Sequence, residues 1–201
     1  MRVYVDGLEG FASACKAMRF SFGSEPKSID KIVSKGYTLI KDDLDLMLKL
    51  VVAGDSHSKI MRMVQVWFDM ELPRYLWQEL DQYRVGTTSM SASTAHTLMK
   101  EIKAGKLSID SFEHTEGNKD SLLWIMDELE EMVLNKGASL EEIKQVLPES
   151  FLQRRVVNMN YQTLRHIYFD RRNHRLKSWH VLLDEILKEI PFPELVTKEK
   201  E

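Results

Sequence analysis

The sequence predicts an α+β fold, in which a mostly helical single domain with a small antiparallel sheet spans residues 1–196 and a charged tail follows at 197–201. Apolar residues recur every three or four positions over most of the chain, as they do in amphipathic helices. Two segments instead alternate apolar and polar residues, as strands do. No internal repeat or low-complexity linker divides the 201 residues, so one core is expected.

The first fifty or so residues are predicted to form one strand and three helices. The segment RVYVDG alternates and ends in glycine, which indicates a strand. The following segment has apolar residues at helical spacing: Phe11, Cys15, Met18 and Phe22. Gly23 ends that helix. After the loop SEPKS, helical spacing extends from Ser28 to Val52, and Gly36 divides this stretch into two helices.

The segment MVQVWFDMEL is predicted to be a strand with one buried face, because its apolar residues occupy alternate positions. These residues are Val64, Val66, Phe68, Met70 and Leu72. Pro73 ends the strand and suits the first turn of a helix, PRYLWQELDQYR. A hydroxyl-rich loop at 84–94 is predicted to follow this helix.

The rest of the chain is predicted to be helical, with one ambiguous segment, PESFLQRRVVNMN, that an extended conformation would also fit. Helices are expected at TAHTLMKEIKAG and at KDSLLWIMDELEEMVLNKG. The pair Ser139 and Glu142 has capping-box spacing at the next helix start. Two more helices follow, one from about Tyr161 and one that ends at Pro191. The four tryptophans are predicted to lie in the core: Trp67, Trp77, Trp124 and Trp179.

Composition argues against several classes of protein. A net charge of −3 does not suit a general nucleic-acid binder held by bulk charge. The single cysteine, Cys15, cannot form an internal disulfide, and we expect a buried thiol in a reducing compartment. The start MRVYVDG is no signal peptide and the longest apolar run, LKLVVAG, is too short to span a bilayer. We therefore expect a cytoplasmic protein.

Common catalytic and cofactor motifs are absent from the sequence. The histidines show no H-x-x-x-H or H-E-x-x-H spacing, so no zinc site is expected. No G-x-G-x-x-G or G-K-[ST] occurs, which argues against Rossmann and P-loop cofactor binding. No arrangement of serine, histidine and aspartate for nucleophilic catalysis is visible.

Two constellations could bind an anion. Residues 154–177 hold seven cations and one acid, Asp170; the cations are Arg154, Arg155, Arg165, Arg171, Arg172, Arg175 and Lys177. Arginine grips phosphate or carboxylate in bidentate fashion, although a solvated helix face is the alternative. If 160–172 is helical, Asn160 and Arg171 lie on one stripe and could line a cleft together.

The hydroxyl-rich loop is the second constellation. Its hydroxyl residues are Thr87, Thr88, Ser89, Ser91, Ser93 and Thr94. Gly86 would let a ligand approach the backbone closely. Hydroxyls and backbone N–H groups can hold a phosphate without a Walker motif, although an ordinary surface loop has the same composition.

Several stretches, in order and at near-constant spacing, together resemble the flavin-dependent thymidylate synthase (ThyX) family. SFG at 21–23 is similar to the family's S-Y-G, and LKLVVAGDSH fits its helix followed by a histidine. PRYLWQELDQYR resembles R-x-x-x-x-Q-x-x-R-H-R, and LNKGASLEEIKQVLPES matches a stretch that ends in L-P. NMNYQTLRHIYFDRR resembles the helix N-x-R-x-L-x-x-F-x-x-x-R.

The resemblance implies an α+β fold, a homotetramer with sites between subunits, tightly bound FAD, and NADPH as reductant. It also implies methylation of dUMP, or of a related deoxyuridine nucleotide, with methylenetetrahydrofolate as the one-carbon donor. Reduced flavin delivers a hydride in this family and the protein positions the pyrimidine, which explains why no catalytic triad occurs. The drifted motifs of a small enzyme also suggest a bacteriophage origin.

The family's functional positions carry over in part. The resemblance assigns flavin contacts to Ser21, His57, Arg84, Asn160 and His166. It assigns the grip on the pyrimidine to Arg171, the predicted catalytic residue, which is also counted among the substrate-binding residues. The remaining predicted substrate-binding residues are Glu79, Gln82, Ser91, Ser93 and Lys144.

Several family residues are replaced in this chain. The family's R-H-R is Gln82, Tyr83 and Arg84 here, and Glu79 stands where the family has glutamine. The family's S-x-R has no arginine here, since Ser93 is followed by Thr94 and Ala95. Lys144 replaces the arginine before L-P, and Gln162 replaces the arginine in N-x-R.

These replacements would weaken nucleotide binding, because losing two charge-assisted hydrogen bonds would cost roughly 10²- to 10⁴-fold in nucleotide affinity. Three hypotheses follow. The leading hypothesis is a ThyX-like flavin-dependent methyltransferase, with a different substrate or with Arg74, Arg154 or Arg155 of a neighbouring subunit as substitutes. The alternative is a catalytically inactive ThyX-fold binding or scaffolding protein. A nucleic-acid-binding module that uses the 154–177 cluster is the least favoured.

Overall fold

The computed structural model describes residues 1–199. Its strands are β1 (Arg2–Glu9), β2 (Lys31–Ser34), β3 (Tyr37–Ile40), β4 (Gln65–Pro73), β5 (Thr87–Ser91) and β6 (Leu152–Asn160). Its helices are α1 (Phe11–Phe22), α2 (Lys41–Val52), α3 (Arg74–Leu80), α4 (Thr94–Lys103), α5 (Lys119–Leu134), α6 (Leu140–Val146), α7 (Tyr161–Arg171), α8 (Lys177–Glu189) and α9 (Glu194–Thr197). Short 3₁₀ helices occur at Ser58–Arg62 and Ile109–Ser111.

The strands form a four-stranded sheet, in the order β1-β4-β6-β5, and a separate antiparallel hairpin of β2 and β3. The central strand β4 follows the alternation predicted from sequence, since its apolar side chains from Val66 to Leu72 are fully buried. The ambiguous segment after Pro148 is extended and forms β6. The predicted α+β class, mostly helical with a small antiparallel sheet, is confirmed.

The chain divides into two compact units. Unit 1 comprises Met1–Arg2, Met70–Gln82 and Met90–Arg155, and unit 2 comprises Val3–Asp69, Tyr83–Ser89 and the chain from Val156 onward. The core of unit 1 is built from α4, α5, α6 and the ends of two loops: Leu98, Ile102, Leu107, Phe112, Leu122, Leu129, Val133, Ile143, Leu147 and Phe151. The prediction of a single domain over residues 1–196 stays a prediction.

The core of unit 2 contains an aromatic cluster at the start of α7. The ring of Phe11 packs edge-on against Tyr161 and Phe192, with centroid separations of 5.5 and 5.4 Å. The Tyr161 hydroxyl donates to the Pro191 carbonyl at 2.7 Å, which satisfies its one polar group inside the core. This cluster anchors the first turn of α7, from which several candidate site residues project.

Two helices were predicted, one on either side of Gly36, and the prediction of the first one is wrong. Residues 31–40 form the β2–β3 hairpin, and only α2 is helical. Lys35 and Gly36 both have positive φ, 49° and 81°, which is the backbone of a two-residue hairpin turn. Over so short a stretch, apolar residues three or four apart fit a hairpin as well as a helix, and the turn decides between them.

Smaller corrections concern the helix α3, the loop after it and the tryptophans. The predicted helix PRYLWQELDQYR ends at Leu80, and the predicted loop 84–94 contains strand β5. Trp77 and Trp179 are buried as predicted, but Trp124 is 68% exposed and Trp67 is half-buried. Trp124 lies on the solvent-facing side of α5.

Helix ends follow the sequence signals closely. Gly23 caps α1 in the left-handed conformation, with a φ of 55°. The capping box is confirmed: the Glu142 amide donates to Ser139 Oγ at 3.3 Å and the Ser139 amide donates to Glu142 Oε2 at 2.8 Å. These bonds to its carboxylate lower the pKa of Glu142.

The C-terminal segment departs from the predicted tail. Thr197 belongs to α9 and the Arg172 guanidinium donates to Glu199, so these two residues are held in place. Lys200 and Glu201, which complete the predicted tail, lie outside the described residues. Within residues 1–199, no helix is both long and apolar enough to cross a membrane.

Candidate functional site

The junction of β6 and α7 in unit 2 is fixed by Asn160. Its side-chain oxygen accepts from the Thr163 amide at 2.9 Å and caps the N-terminus of α7. The Thr163 hydroxyl in turn donates to the Val85 carbonyl at 2.9 Å. Gly86 has a φ of 72°, and a Cβ there would lie 2.4 Å from Asn160 Nδ2. The close approach predicted for a ligand at Gly86 is therefore made by the protein's own Asn160.

A cavity of about 380 Å³ lies along α7 and is called the α7 cavity here. It is lined by Val51, Asp55, Gln162, Arg165, His166, Phe169 and Glu199. Gln162 and His166 are one turn apart on α7, so both side chains point the same way. His166 was predicted from sequence to contact the flavin, whereas Gln162 was noted only as a replaced family arginine.

Gln162 connects three neighbours from its buried position. Ser58 Oγ donates to Gln162 Oε1 at 3.0 Å, and Gln162 Nε2 lies 3.4 Å from Asp55 Oδ1 and 2.8 Å from His166 Nε2. Because a carboxylate only accepts hydrogen bonds, the amide NH₂ faces Asp55, and His166 Nε2 is then an acceptor as well. We therefore assign the neutral Nδ1–H tautomer to His166, which leaves Nδ1–H as its donor.

Arg165 is the buried cation of the α7 cavity. Only 8% of the residue is exposed. Its Nη1 donates to the Val196 carbonyl at 2.9 Å and its guanidinium stacks 4.5 Å from the centre of the Phe169 ring. Neither Arg165 nor its cavity position was predicted from sequence beyond its membership of the basic cluster.

A second cavity, of about 270 Å³, lies beside α1 and is called the α1 cavity here. It is lined by Ala17, Met18, Ser21, Phe22, Leu50, Ser56, His57, Lys59, Ile60 and Met63. Two predicted flavin contacts, Ser21 and His57, are thus brought together. Consecutive residues of one short turn line the two cavities: Asp55 lines the α7 cavity and Ser56 lines the α1 cavity.

The guanidinium of Arg171, at the C-terminal end of α7, is held by two neighbouring aromatic side chains. Its Nε donates to the Tyr83 hydroxyl at 2.8 Å, and its guanidinium lies 4.9 Å from the centre of the Trp179 ring. Tyr83 also donates to Asp170 Oδ2 at 3.3 Å, and burial raises the pKa of the Tyr83 hydroxyl. Ring and hydroxyl contacts of this kind hold a guanidinium in one orientation. Arg84 is exposed and lines neither the α7 nor the α1 cavity.

The predicted substrate-binding residues of unit 1 lie mostly at its surface. Gln82, Ser91, Ser93 and Lys144 are exposed, and Glu79 is half-buried. Ser93 is the N-cap residue of α4. The backbone between the two serines is held by β6, because the Ala92 amide donates to the Arg154 carbonyl at 2.9 Å and Gln153 Nε2 donates to the Ala92 carbonyl at 3.3 Å.

The substitute arginines considered from sequence differ in their surroundings. Arg74 donates to the Leu147 carbonyl at 3.1 Å and lies 3.5 Å from a Glu149 oxygen. Arg155 binds both oxygens of Asp81, at 2.8 and 3.0 Å, above the Trp77 ring. Arg154 is exposed. The 154–177 cluster is therefore not one solvated cationic face, which weighs against the nucleic-acid hypothesis.

A third cavity, of about 640 Å³, lies between α1 and the β2–β3 hairpin in unit 2. It contains none of the predicted site residues. Its inner wall carries the Arg19–Asp43 ion pair, with a separation of 2.7 Å, and the buried thiol of Cys15. Burial raises the pKa of Cys15 to about 11, so the thiol is protonated near neutral pH and the predicted buried cysteine is confirmed. Among the described residues, no cluster of histidine, cysteine, aspartate or glutamate could hold a metal ion.

Solved structures with the same fold are known. Two structures of flavin-dependent thymidylate synthase ThyX from Helicobacter pylori, both described as containing FAD and dUMP, match this chain with a TM-score of 0.78. They are 17% and 16% identical to it, and each match covers 97% of this chain and 96% of the other. No curated protein sequence is significantly similar to the chain. At these identities the structural likeness establishes the fold and confirms the ThyX-like architecture.

The family model described as thymidylate synthase complementing protein matches residues 5–190. The match confirms the family predicted from sequence and favours the predicted enzyme over the inactive scaffold. The chain belongs to the thymidylate synthase complementing protein family, the flavin-dependent thymidylate synthases.

Proposed function

We propose that the protein binds FAD in unit 2 and uses it to methylate dUMP, or a related deoxyuridine nucleotide, with a folate one-carbon donor. The observation that carries the proposal is the turn at Asp55–His57, whose consecutive residues line the α7 cavity and the α1 cavity. FAD is a dinucleotide with two ring systems, and two cavities joined by one short turn suit its two ends. NADPH as reductant and methylenetetrahydrofolate as donor come from the family resemblance alone.

The residues of the two cavities fit this cofactor. The α7 cavity offers the apolar side chains of Val51 and Phe169, the buried guanidinium of Arg165 and the imidazole of His166, which are the kinds of apolar and polar groups that line ligand pockets. The α1 cavity offers the hydroxyl of Ser21 and the imidazole of His57. Asn160 would act on the cofactor through α7, whose first turn it fixes. When bound, FAD would supply the redox chemistry that amino-acid side chains lack.

The nucleotide-binding residues are proposed from the family resemblance. The H. pylori structures are described with dUMP, which supports a deoxyuridine nucleotide as substrate here. Arg171, oriented by Tyr83, is proposed to grip the pyrimidine and polarise it as the catalytic residue. Glu79, Gln82, Ser91, Ser93 and Lys144 are proposed to bind the sugar and phosphate. A homotetramer with sites between subunits, a cytoplasmic location and a phage origin are also proposed from the family resemblance.

The direct test is turnover. Purified protein is incubated with FAD, NADPH, methylenetetrahydrofolate and dUMP, and dTMP is quantified by mass spectrometry. We expect dTMP from the wild type and at least 100-fold less from Arg171→Ala, since one oriented charge-assisted contact to the transition state is worth about two orders of magnitude. Arg175→Ala, at an exposed position outside both cavities, is the matched control and should retain full activity. A wild type that binds FAD but produces no methylated pyrimidine would support the inactive alternative.

A further inference from the structure

Tyr83 stands where the family motif R-H-R has histidine, and its hydroxyl makes two hydrogen bonds to side chains at the end of α7. Arg171 Nε donates to the Tyr83 hydroxyl at 2.8 Å, and the hydroxyl donates to Asp170 Oδ2 at 3.3 Å. All three residues belong to unit 2. The phenol therefore joins two consecutive residues of α7 that lie 87 and 88 positions away from it in the sequence.

The directions of these two hydrogen bonds are fixed by chemistry. A guanidinium nitrogen only donates and a carboxylate only accepts, so the Tyr83 oxygen accepts from Arg171 and its proton points to Asp170. Burial raises the pKa of Tyr83, so the hydroxyl keeps this proton throughout the neutral range. A neutral imidazole also has one donor and one acceptor, which makes tyrosine a chemically suitable replacement for the motif's histidine.

The guanidinium of Arg171 is restrained by rings as well as by this hydroxyl. Its central carbon lies 5.5 Å from the centre of the Tyr83 ring and 4.9 Å from the centre of the Trp179 ring. Trp179 is fully buried, so its ring has a fixed position. Ring contacts restrain the distance of a cation, whereas a hydrogen bond to Nε also restrains the direction in which the guanidinium points. The hydroxyl of Tyr83 thus sets the orientation of Arg171.

We infer that Tyr83 and Asp170 form a positioning pair for Arg171 in the methylation of the deoxyuridine nucleotide. Asp170 holds the phenol proton, and the phenol oxygen then holds the guanidinium in the orientation that binds the pyrimidine. This inference rests on the proposed function, since it requires Arg171 to bind the pyrimidine. Neither member of the pair touches the nucleotide, so both act through Arg171. A displacement of about 1 Å at a reacting centre can cost about 100-fold in rate.

The first experiment compares FAD-loaded wild type with Tyr83→Phe, which keeps the ring and removes the hydroxyl. We expect kcat/KM for dUMP to fall about 10- to 100-fold, the value of one hydrogen bond to a charged group. Calorimetric titration with dUMP, without reductant or folate, should show weaker binding as well. Tyr37→Phe is the matched control in the same unit, since it removes a hydroxyl that donates to the Leu8 carbonyl at 3.2 Å. It should leave both values unchanged.

A double-mutant cycle separates positioning from a structural role. In an Arg171→Lys background, Tyr83→Phe should change kcat/KM by less than about twofold, because the guanidinium that the hydroxyl orients is gone. A tyrosine that only supports the fold would cost the same in both backgrounds. The FAD dissociation constant should not change in Tyr83→Phe, since Tyr83 lines neither the α7 nor the α1 cavity.

Variants of Asp170 test the second member of the pair. Asp170 is exposed, so its substitution should not prevent folding. Asp170→Asn keeps an oxygen that accepts the phenol proton and should retain the wild-type kcat/KM. Asp170→Ala removes the acceptor and should lower kcat/KM about 2- to 10-fold, the value of one ordinary hydrogen bond. Tyr83→His restores the motif's residue and should be more active than Tyr83→Phe.

The outcomes distinguish the two proposals. A wild type that produces no methylated pyrimidine overturns the proposed function and this inference together. An active wild type with an unchanged kcat/KM in Tyr83→Phe, or with equal losses in both Arg171 backgrounds, overturns this inference alone. If Tyr83→Phe does not fold, equal activity of Asp170→Asn and Asp170→Ala does the same.

Discussion

Two polar residues of unit 2, Asn160 and Gln162, are held differently from the candidate substrate residues of unit 1. In unit 2, Asn160 caps a helix and Gln162 connects three side chains, and both are more than nine-tenths buried. In unit 1, Ser91, Ser93 and Lys144 are exposed on a strand and helices. Asn160 and Gln162 form part of the protein's own hydrogen-bond network, whereas the unit 1 side chains are exposed.

This difference predicts how substitutions in each unit change the stability of the protein and its affinity for ligands. A buried polar side chain that loses its partner leaves another group unsatisfied, so substitutions of Asn160 or Gln162 in unit 2 should reduce stability together with cofactor binding. An exposed side chain leaves nothing behind, so substitutions in unit 1 should change nucleotide binding and leave stability within about 0.5 kcal/mol. The predictions below test this contrast.

The largest effect on stability is expected for Gly86→Ala in unit 2. A Cβ at Gly86 would meet Asn160 Nδ2 at 2.4 Å and Thr163 Oγ1 at 2.9 Å in a left-handed backbone. The backbone strain and the disturbed helix cap together should cost about 2–3 kcal/mol, measured by chemical denaturation. The control is Gly137→Ala in unit 1, where φ is also positive but no atom lies within 4 Å. Equal losses in the two variants would mean that the Gly86–Asn160 contact does not form.

A large effect on binding with none on stability is expected for Lys144→Ala in unit 1. The side chain is exposed on α6, and a lost charge-assisted contact to phosphate should weaken dUMP binding about 10- to 100-fold. Calorimetric titration with dUMP measures the affinity, and thermal unfolding should be unchanged. Lys136→Ala, which removes a surface ion pair with Glu128 in the same unit, is the matched control. Unchanged dUMP affinity in Lys144→Ala would remove this lysine from the site.

A smaller, coupled effect is expected for Asn160→Ala. Removing the cap of α7 should cost about 1 kcal/mol of stability, and the displaced helix start should weaken FAD binding as well. The matched variant is Ser139→Ala, which removes the cap of α6 in unit 1 and should cost a similar amount without affecting FAD. Loss of stability in Asn160→Ala with an unchanged FAD dissociation constant would contradict the coupling.

The smallest effect is expected for Ser93→Ala. The serine is exposed and its hydroxyl makes no side-chain cap to α4, so stability should not change. One neutral hydrogen bond to the nucleotide is worth about 2- to 10-fold in affinity. Ser108→Ala, at the start of the 3₁₀ helix of the same unit, serves as the comparison for dUMP binding. A loss of stability in Ser93→Ala would show that the hydroxyl has a structural partner.

Local patterns predicted the fold better than the site. The strict alternation along β4 and the capping box at Ser139 each specify their element within a few residues, so both were confirmed. The β2–β3 hairpin was missed because its strands have only four residues each and the decisive turn is two residues long. Periodicity is uninformative at that length.

The candidate site depends on contacts that no local pattern contains. Motif spacing indicated Asn160 at the start of α7 and His166 and Arg171 along it, but the hydrogen bond from Ser58 to Gln162 joins positions 104 residues apart. The burial of Arg165 beside Phe169 likewise depends on the C-terminal segment, whose Val196 carbonyl it binds. In the sequence, Arg165 was one of seven cations with nothing to distinguish it, and only tertiary packing separates it from the exposed ones.

The central claim is that unit 2 holds a flavin, and the most direct measurement is a visible absorption spectrum after loading. Purified protein is mixed with excess FAD, separated from free cofactor by gel filtration, and its spectrum is recorded. We predict flavin absorption that co-elutes with the protein at one FAD per chain, and weaker retention in Asn160→Ala. A wild type that elutes colourless under saturating FAD would contradict the claim, and the two cavities of unit 2 would then have to be explained without the cofactor.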